Sequence, residues 1–523
     1  LQIDDQSLEQ SNDGDDMQRS ADILRQRFDR PATTAIVAGL FFYSSLFGPG
    51  VATAEEPSGL AAAVALEEVL VRAIERAENS VVSIARFNQE DGAPRDFRPE
   101  LLPRPGFPLI DPTPNTPASP DFVPNDFATG VVIDKAGYIV TAYHAVDGPG
   151  EIWITTSGRR PLRAKVAGAD PRSDLAVLKV TEAAPDVKFE PITFGDASKL
   201  KKGQIVVALG NPYAIARDGR ASAAWGIIAN LSRKSAPNTN AGDSGDRKST
   251  LHHFGTLIQT DAKLNLGTSG GALLNLKGEM IGLTTSQAAV AGFEQAAGYA
   301  VPVDDVFRRV VELLKQGKEV DYGLLGVSLR TLNSVEQSAG LRGVRVDGVL
   351  PGSPAQRADI RPGDVITNVA KHPVVDVDSL MLQVGRQPAA AVTSLTIERD
   401  GQVENKTVTL AKFEVRGKKI ITAPDPGWRG LKVDFPSAHR ELNPQFYLAM
   451  KLVDPAVLAT DVAQDSPAWQ AGLRRGMLIT HVKNVSIETP ADFYKQAAAA
   501  TGEVELRIAG VPGQPPVVKV PAK

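Results

Sequence analysis

The chain has 523 residues, 42% of them hydrophobic and 23% charged, with a net charge of −4; at roughly 100–200 residues per domain this is enough for three or four globular units. Lys and Arg are spread along the chain, so nothing resembles the concentrated basic surface that nucleic-acid binding requires. Cysteine is absent, which excludes thiol catalysis, disulfide bonds and Cys-based metal sites. None of the six histidines stands in a His-Glu-x-x-His spacing, and His252-His253 reads as a pair on a surface loop, so no metal or other cofactor is expected.

Residues 1–30 are polar and acid-rich, and are predicted not to fold alone. An apolar run at 35–47 (AIVAGLFFYSSLF) follows Arg27 and Arg30 and precedes Val51-Ala52-Thr53-Ala54, the three parts of a secretory signal. The run is shorter than the roughly 20 residues that span a bilayer. Translation is expected to begin at Met17 and the mature chain near Glu55, with an uncleaved anchor as the alternative. Either way the rest of the chain is predicted to work outside the cytoplasm, in the periplasm or secreted.

Residues 58–77 carry apolar side chains at helical spacing, and a β-run follows at 81–85. From 88 to 125 the chain is Pro-rich and irregular, which predicts a long exposed loop. Beyond Phe127 come short β-runs at 130–133, 138–141, 152–155, 176–180, 205–209, 225–228, 257–259 and 280–284, separated by turns. That pattern predicts an all-β barrel or sandwich, interrupted by a polar loop at 232–250 and closed by an amphipathic helix at 303–315. The C-terminal part repeats itself: 353–369 (SPAQRADIRPGDVITNV) aligns without gaps to 466–482 (SPAWQAGLRRGMLITHV) at an offset of 113 residues. Two copies of one domain follow, each opening on a Gly/hydrophobic segment at 323–327 and 430–433. The expected boundaries are a disordered N-terminus with signal at 1–54, a β-rich unit at 55–320, repeats at 321–412 and 428–516, and a hinge at 413–427.

The segment with most chemical content is 260–273, TDAKLNLGTSGGAL. A serine hydroxyl becomes a nucleophile only with a base in hydrogen-bond reach, and flanking glycines let two backbone N–H groups converge where an oxyanion develops. Alone, Gly-x-Ser-Gly-Gly is also compatible with a tight turn, the weaker of the two readings. His144 stands at the end of a β-run, where it can serve as general base. Asp174 precedes another β-run, where a buried carboxylate can fix the imidazole tautomer. A single His is usually structural and Asp-Leu is a common turn, but the order His, Asp, Ser on an all-β framework is specific.

The segments TGVVIDKAGYIVTAYHAV, DPRSDLAVLKV, GDASKLKKGQIVVALGNPY, IQTDAKLNLGTSGGALLNLKGEMIGLTTS and GYAVPVDDV occur in order, and with them the chain resembles the HtrA/Deg family of trypsin-like serine proteases carrying PDZ domains. The resemblance runs from about residue 81 to about 510. It implies a mainly β fold, a chymotrypsin-like double β-barrel followed by two α+β PDZ domains. It implies His144 as general base, Asp174 as its orienter and Ser269 as nucleophile, with backbone N–H groups of Gly267 and Ser269 as oxyanion donors. It further implies ATP-independent cleavage of unfolded or damaged envelope proteins by homotrimers or higher assemblies. The alternative from another class is a non-catalytic chaperone or scaffold that uses the protease fold, and a third is an adaptor that selects chain ends.

Three departures from the family pattern stand near the site. Leu266 and Thr268 precede Gly267 and Ser269 where Pro or Arg and Asn are usual, and Tyr143 replaces the usual Asn before the histidine. Lys263 replaces an alanine six residues before the serine; at the base of a specificity pocket it would favour acidic side chains, whereas pointing to solvent it would leave Leu264 to line a small apolar pocket. In the first PDZ copy, Leu324, Leu325, Gly326 and Val327 match the loop that holds a C-terminal carboxylate, with the peptide adding as a strand. Lys432 replaces a glycine in the second copy, which reads equally as a peptide receptor and as an assembly surface.

Overall fold

The structure is a computed structural model that describes residues 59–87, 124, 126–158, 161–182, 187–211, 219–234, 250–285, 298–424, 426–442, 455–509 and 517–522. The signal-like run, nearly all of 88–125 and most of 232–250 lie outside the described residues.

Twelve strands build two closed antiparallel barrels. The first contains β1 (Val81–Phe87), β2 (Asp126–Asp134), β3 (Tyr138–Ala142), β4 (Glu151–Thr155), β5 (Pro161–Asp170) and β6 (Leu175–Val180), ordered β5-β4-β1-β2-β3-β6 and closed by a β5–β6 pairing. The second contains β7 (Ile205–Gly210), β8 (Ser222–Arg233), β9 (Leu257–Thr260), β10 (Ala272–Leu274), β11 (Met280–Thr285) and β12 (Gly298–Pro302), ordered β10-β11-β12-β9-β8-β7.

Alternation along the strands builds two cores at once. In β6, Ala176 and Leu178 fill the first barrel while Leu175 and Val177 face a core shared with the second. In β7, Val206 and Ala208 fill the second barrel while Val207 and Leu209 meet that shared core. Both faces are therefore dry, and the strands read as continuous apolar runs. Gly130 lets β2 approach closely, since a Cβ there would stand 2.6 Å from Ile139 Cγ2 and 2.9 Å from Ile84 Cδ1.

Two helices flank the barrels, α1 (Gly59–Ala77) and α2 (Asp305–Lys315). The latter starts later than the apolar spacing predicts because Asp304 caps it, accepting from Phe307 N at 3.0 Å. It buries Phe307, Val310, Val311 and Leu314, and Gly168 of β5 passes so close that a Cβ would lie 2.7 Å from Leu314 O.

The sequence repeat is a repeat in space. One sheet orders Val327–Thr331, Val344–Val349, Val365–Val369, Val392–Arg399 and Gln402–Thr409, and a second orders Leu431–Asp434, Val457–Val462, Leu478–Val482, Val504–Ile508 and Val517–Val520 in the same sequence. The final strand extends the second copy past the boundary expected at 516. In each copy a Ser-Pro-Ala turn starts a short helix, Ser353 capping Gln356 N and Ser466 capping Trp469 N. Each such serine packs on a positive-φ glycine, Gly326 or Gly430, whose Cβ would meet its own Cβ at 2.3 and 2.2 Å.

The segment expected to be a hinge at 413–427 is bound to its surroundings. Ile420–Ile421 forms a strand on β5, with Ile420 opposite Ala169 and Ile421 opposite Gly168. Beside it the buried Lys412 places Nζ 3.0 Å from Glu319 Oε2 and 2.7 Å from Asp434 Oδ2. Lys419 Nζ lies 2.7 Å from Glu319 Oε1, and His439 Nε2 2.9 Å from Asp434 Oδ2. Burial opposes the charges of Lys412, Glu319 and Asp434, but their mutual attraction and hydrogen bonds win: Lys412 is held above its ordinary pKa, and Glu319 and Asp434 below theirs.

The depressed carboxylates stabilise the fold at pH values above their unfolded range near ~4, and that contribution is lost as pH falls through their lower folded values. Lys412→Met, which leaves two carboxylates without their shared cation, should cost about 3 kcal/mol at neutral pH. In denaturation of the full chain, the gap from wild type should narrow below about pH 4; an equal gap at both pH values would refute the assignment.

Candidate active site

The two barrels bring three turns together. Strand β3 ends at Ala142 and enters a 3-10 turn, Tyr143–Ala145, that carries His144. Asp174 ends the turn between β5 and β6, fully buried and with φ of 55°. A non-glycine residue in the left-handed region is uncommon and needs support from its surroundings. The support is local: Tyr143 N donates to Asp174 O at 2.9 Å, and His144 N donates to Asp174 Oδ1 at 3.2 Å.

Nδ1 of His144 lies 3.0 Å from both Asp174 oxygens. A carboxylate only accepts, so Nδ1 carries the proton and the free lone pair of the neutral ring is on Nε2. Thr285 Oγ1 donates to Asp174 Oδ2 at 3.3 Å. Burial disfavours the imidazolium, but the charge of Asp174 and its hydrogen bond outweigh that cost and hold His144 above its ordinary pKa. Nε2 is buried without a hydrogen-bond partner.

Further residues hold the Asp174 turn. Asp170 Oδ2 accepts from Ser173 N at 2.9 Å, from Ser173 Oγ at 2.6 Å and from the Tyr322 hydroxyl. Burial raises the pKa of the Asp170 carboxyl and pushes the Tyr322 phenol well above its usual range. His252 Nε2 donates to Ser173 O at 2.9 Å, and its Nδ1 accepts from Thr256 Oγ1 at 2.7 Å. The pair His252-His253, expected on a surface loop, is in fact buried, at 5% and 7% exposure, in the 3-10 turn Leu251–Phe254. Burial lowers the His252 pKa, which keeps the ring neutral and suits a donor to a carbonyl. Neither Asp170, Tyr322 nor Thr285 stood out in the sequence, and His252 stood out only as half of a pair expected on a surface loop. Only the DPRSD run hinted at Asp170, and the long-range bonds of these residues span 79–152 residues.

Ser269 is buried, at 6% exposure, in the turn between β9 and β10. Its carbonyl accepts from Thr129 N at 2.9 Å, and Gly267 O accepts from Thr129 Oγ1 at 2.7 Å, so β2 of the first barrel holds the serine loop of the second. Two glycines are sterically required. Gly267 has φ of 95°, and a Cβ would stand 2.7 Å from Asn211 O; Gly270 has φ of 84°, and a Cβ would stand 2.1 Å from Thr129 O and 2.3 Å from Thr141 Oγ1. That last contact sets the serine turn against the strand end leading to His144. Within the loop Thr268 N, Gly270 N and Gly271 N donate to the carbonyls of Asn265, Thr284 and Thr268. The hydrogen bond between Ser269 and Nε2 is not formed, as is common before substrate tightens a site.

Lys263 is exposed, whereas Leu264 is half-buried against the second barrel's core beside Gly298. In the first repeat Leu325 is buried in the core and its carbonyl accepts from Ala355 N at 3.0 Å. Gly326 adopts φ of 82°, and Leu324 pairs with Ala411. Val327 opens a strand at the sheet's edge, paired on one side only. The corresponding edge strand of the second repeat differs, because Val433 N donates to Tyr494 Oη at 3.1 Å from the helix Pro490–Ala499.

In a proton-resolved titration, His144 should titrate above the ordinary histidine value of about 6.5. Asp174→Asn should drop it below that value, because burial then acts unopposed; an unchanged midpoint would contradict the geometry. Gly270→Ala should destabilise the protein by about 2 kcal/mol or more through its positive φ and contact with β2 backbone, read as a lowered melting temperature.

The trypsin-like peptidase domain family matches residues 128–283 and the PDZ domain family residues 323–410. The probable periplasmic serine endoprotease DegP-like of Pseudomonas fluorescens is 32% identical over 376 residues, 71% of this chain and 74% of that protein. The periplasmic serine endoprotease DegP of Escherichia coli K12 is 31% identical over 388 residues, 73% of each chain. The solved structure of the HtrA-type protease AlgW with tripeptide aligns at 25% identity and a TM-score of 0.49, covering 68% of this chain and 99% of that one. With identity above 30% across more than two thirds of both partners, and a double barrel followed by repeated PDZ sheets, the chain belongs to the HtrA/Deg family of trypsin-like serine endopeptidases with PDZ domains.

Proposed function

We propose that Ser269 is the nucleophile of this endopeptidase, His144 its general base and Asp174 the orienter of His144. The observation that carries the reading is the pairing of Nδ1 with both oxygens of Asp174, which leaves Nε2 as the basic nitrogen. In the reaction Ser269 Oγ bonds to the carbonyl carbon of the scissile peptide while its proton passes to Nε2. The electron pair displaced from the C=O bond forms an oxyanion, and backbone N–H groups of Gly267 and Ser269 are assigned to bind it. The imidazolium, stabilised by Asp174, returns its proton to the leaving amine as the C–N bond breaks. Water then attacks the acyl carbon, giving one proton to Nε2, which passes it to Ser269 Oγ as the acyl C–O bond breaks, so that the acid is released and Ser269 and neutral His144 are restored. The raised pKa of His144 favours the charged intermediate state but also protonates the free base at a higher pH than an ordinary histidine, so activity should fall on the acid side as His144 titrates.

Unfolded or damaged polypeptides of the cell envelope are the substrate class we assign, on the strength of relatives that are periplasmic endoproteases and of the signal-like segment at 35–47. No helix among the described residues is long and apolar enough to cross a membrane. The edge strand Val327–Thr331, preceded by Leu324, Leu325 and Gly326, is assigned to protein C-termini. The second repeat is assigned to assembly instead, since its edge-strand amide at Val433 already bonds Tyr494. Homotrimers or larger homo-oligomers are the proposed working form. Exposure of Lys263 beside a half-buried Leu264 favours small apolar residues before the cut.

Casein hydrolysis by Ser269→Ala should fall by about 10⁴-fold or more, as should covalent labelling of the mature protein by a fluorophosphonate. Equal activity in both proteins, or none in either, would sink the assignment. Lys263→Ala should leave the residue preference before the cut unchanged in a peptide-library digest, whereas Leu264→Gly should broaden it; loss of an acidic preference in the lysine variant would reverse the pocket reading.

A further inference from the structure

The stretch 413–422 crosses the back of both turns that carry His144 and Asp174, and its contacts there are specific. At its start Phe413 N donates to Tyr322 O at 2.7 Å, so the two ends of the first PDZ unit are tied together. The buried Arg172, from the Asp174 turn, lies over the Phe413 ring at 3.9 Å and over Tyr322 at 5.4 Å. Tyr322 donates its hydroxyl to Asp170 Oδ2, which also accepts from Ser173. Next, Gly417 packs on Pro171, close enough that a Cβ would meet Pro171 Cβ at 3.1 Å. Lys418 O accepts from the hydroxyl of Tyr143, at 3.2 Å. Ile420–Ile421 then pairs with β5 just ahead of the Asp174 turn, and Thr422 N and Ala423 N both donate to Gly317 O, at 3.1 and 3.0 Å.

Tyr143 is the point where these contacts converge. Its amide donates to Asp174 O, its hydroxyl reaches the stretch at Lys418, and the next residue is His144. Burial and the charge of Asp147 push its phenol up to about 12, so it remains a donor across the working range. The residue is also one of the three departures from the family pattern seen in the sequence. Asp170 faces Ser173 within its own turn, Tyr322 from the PDZ junction and the charge of Lys419 from the stretch itself.

We propose that 413–422 is a strap that positions the active site, acting on His144 through Tyr143 and on Asp174 through Tyr322 and Asp170. This rests on the reading of His144, Asp174 and Ser269 as the catalytic group. The strap touches neither substrate nor reacting atoms, so Tyr143, Tyr322 and Asp170 are positioning residues. Their task is to hold the left-handed Asp174 turn in register with the histidine turn, where a shift of 1 Å costs about 10²-fold in rate.

Full-length Tyr322→Phe and Tyr143→Phe proteins test the strap. The measurements are fluorophosphonate labelling of Ser269, recording both rate constant and endpoint, and peptide hydrolysis against pH. Tyr322→Phe should lower the labelling rate constant and kcat by about ten-fold, with KM little changed and the labelling endpoint still complete. Tyr143→Phe should move both in the same direction. In each variant the acid limb of the pH profile should shift to lower pH, because a displaced Asp174 supports the imidazolium less. Wild-type rate constants and pH limb in both variants would overturn the proposal, as would a fall in the endpoint alone, which signals only loss of folded protein. Should Tyr322→Phe fail to fold, Tyr143→Phe decides by the same criteria. A wild-type protein that the probe does not label at Ser269 would overturn the catalytic reading, and the strap with it; a labelled wild type with indifferent variants would overturn the strap alone.

Discussion

A carboxylate buried at Asp174 in the left-handed region is the constraint on which the site depends. An anion removed from water must be matched by donors or it will protonate. Here the donors are the backbone and Nδ1 of His144 and the hydroxyl of Thr285. The same bonds fix the imidazole tautomer, so one arrangement supplies both electrostatic stability and orientation. Its price is a turn that must be held from outside, which explains why Asp170, Arg172, Ser173 and His252 around it are all buried.

The double barrel makes this possible by sharing a core. Strands such as β6 and β7 are dry on both faces, so a movement of one barrel relative to the other would expose apolar surface at about 25 cal/mol per Å². On that rigid base the serine loop of the second barrel is tied to β2 of the first through Thr129. Three turns from distant parts of the chain meet because the barrels cannot slide.

The PDZ units are bound to this base by polar contacts as well as by packing. Lys412 joins the last residues before the first PDZ unit to the first strand of the second, through Glu319 and Asp434. Buried ionic groups of this kind are poor sources of net stability but strongly penalise any misregistered arrangement. A junction built this way favours one relative placement, and it lies beside the stretch that lines the back of the active site.

Local rules were enough for much of this in the sequence. Short β-runs between turns located most strands, the 113-residue offset revealed the duplicated unit, and His144, Asp174 and Ser269 stood out by residue type, flanking glycine and order along the chain. Signals weakened where an element is short or mixed: β10 has three residues, and β5 alternates charged with small residues. Tertiary structure alone decided the rest. Burial of the His252-His253 pair, the Tyr322 donor to Asp170 and the pairing of 420–421 with β5 all join residues far apart in sequence, and no local pattern encodes a partner that only folding brings near. A residue's chemistry and its period are written in the chain, but what it touches is set by how the barrels close and where the PDZ units attach.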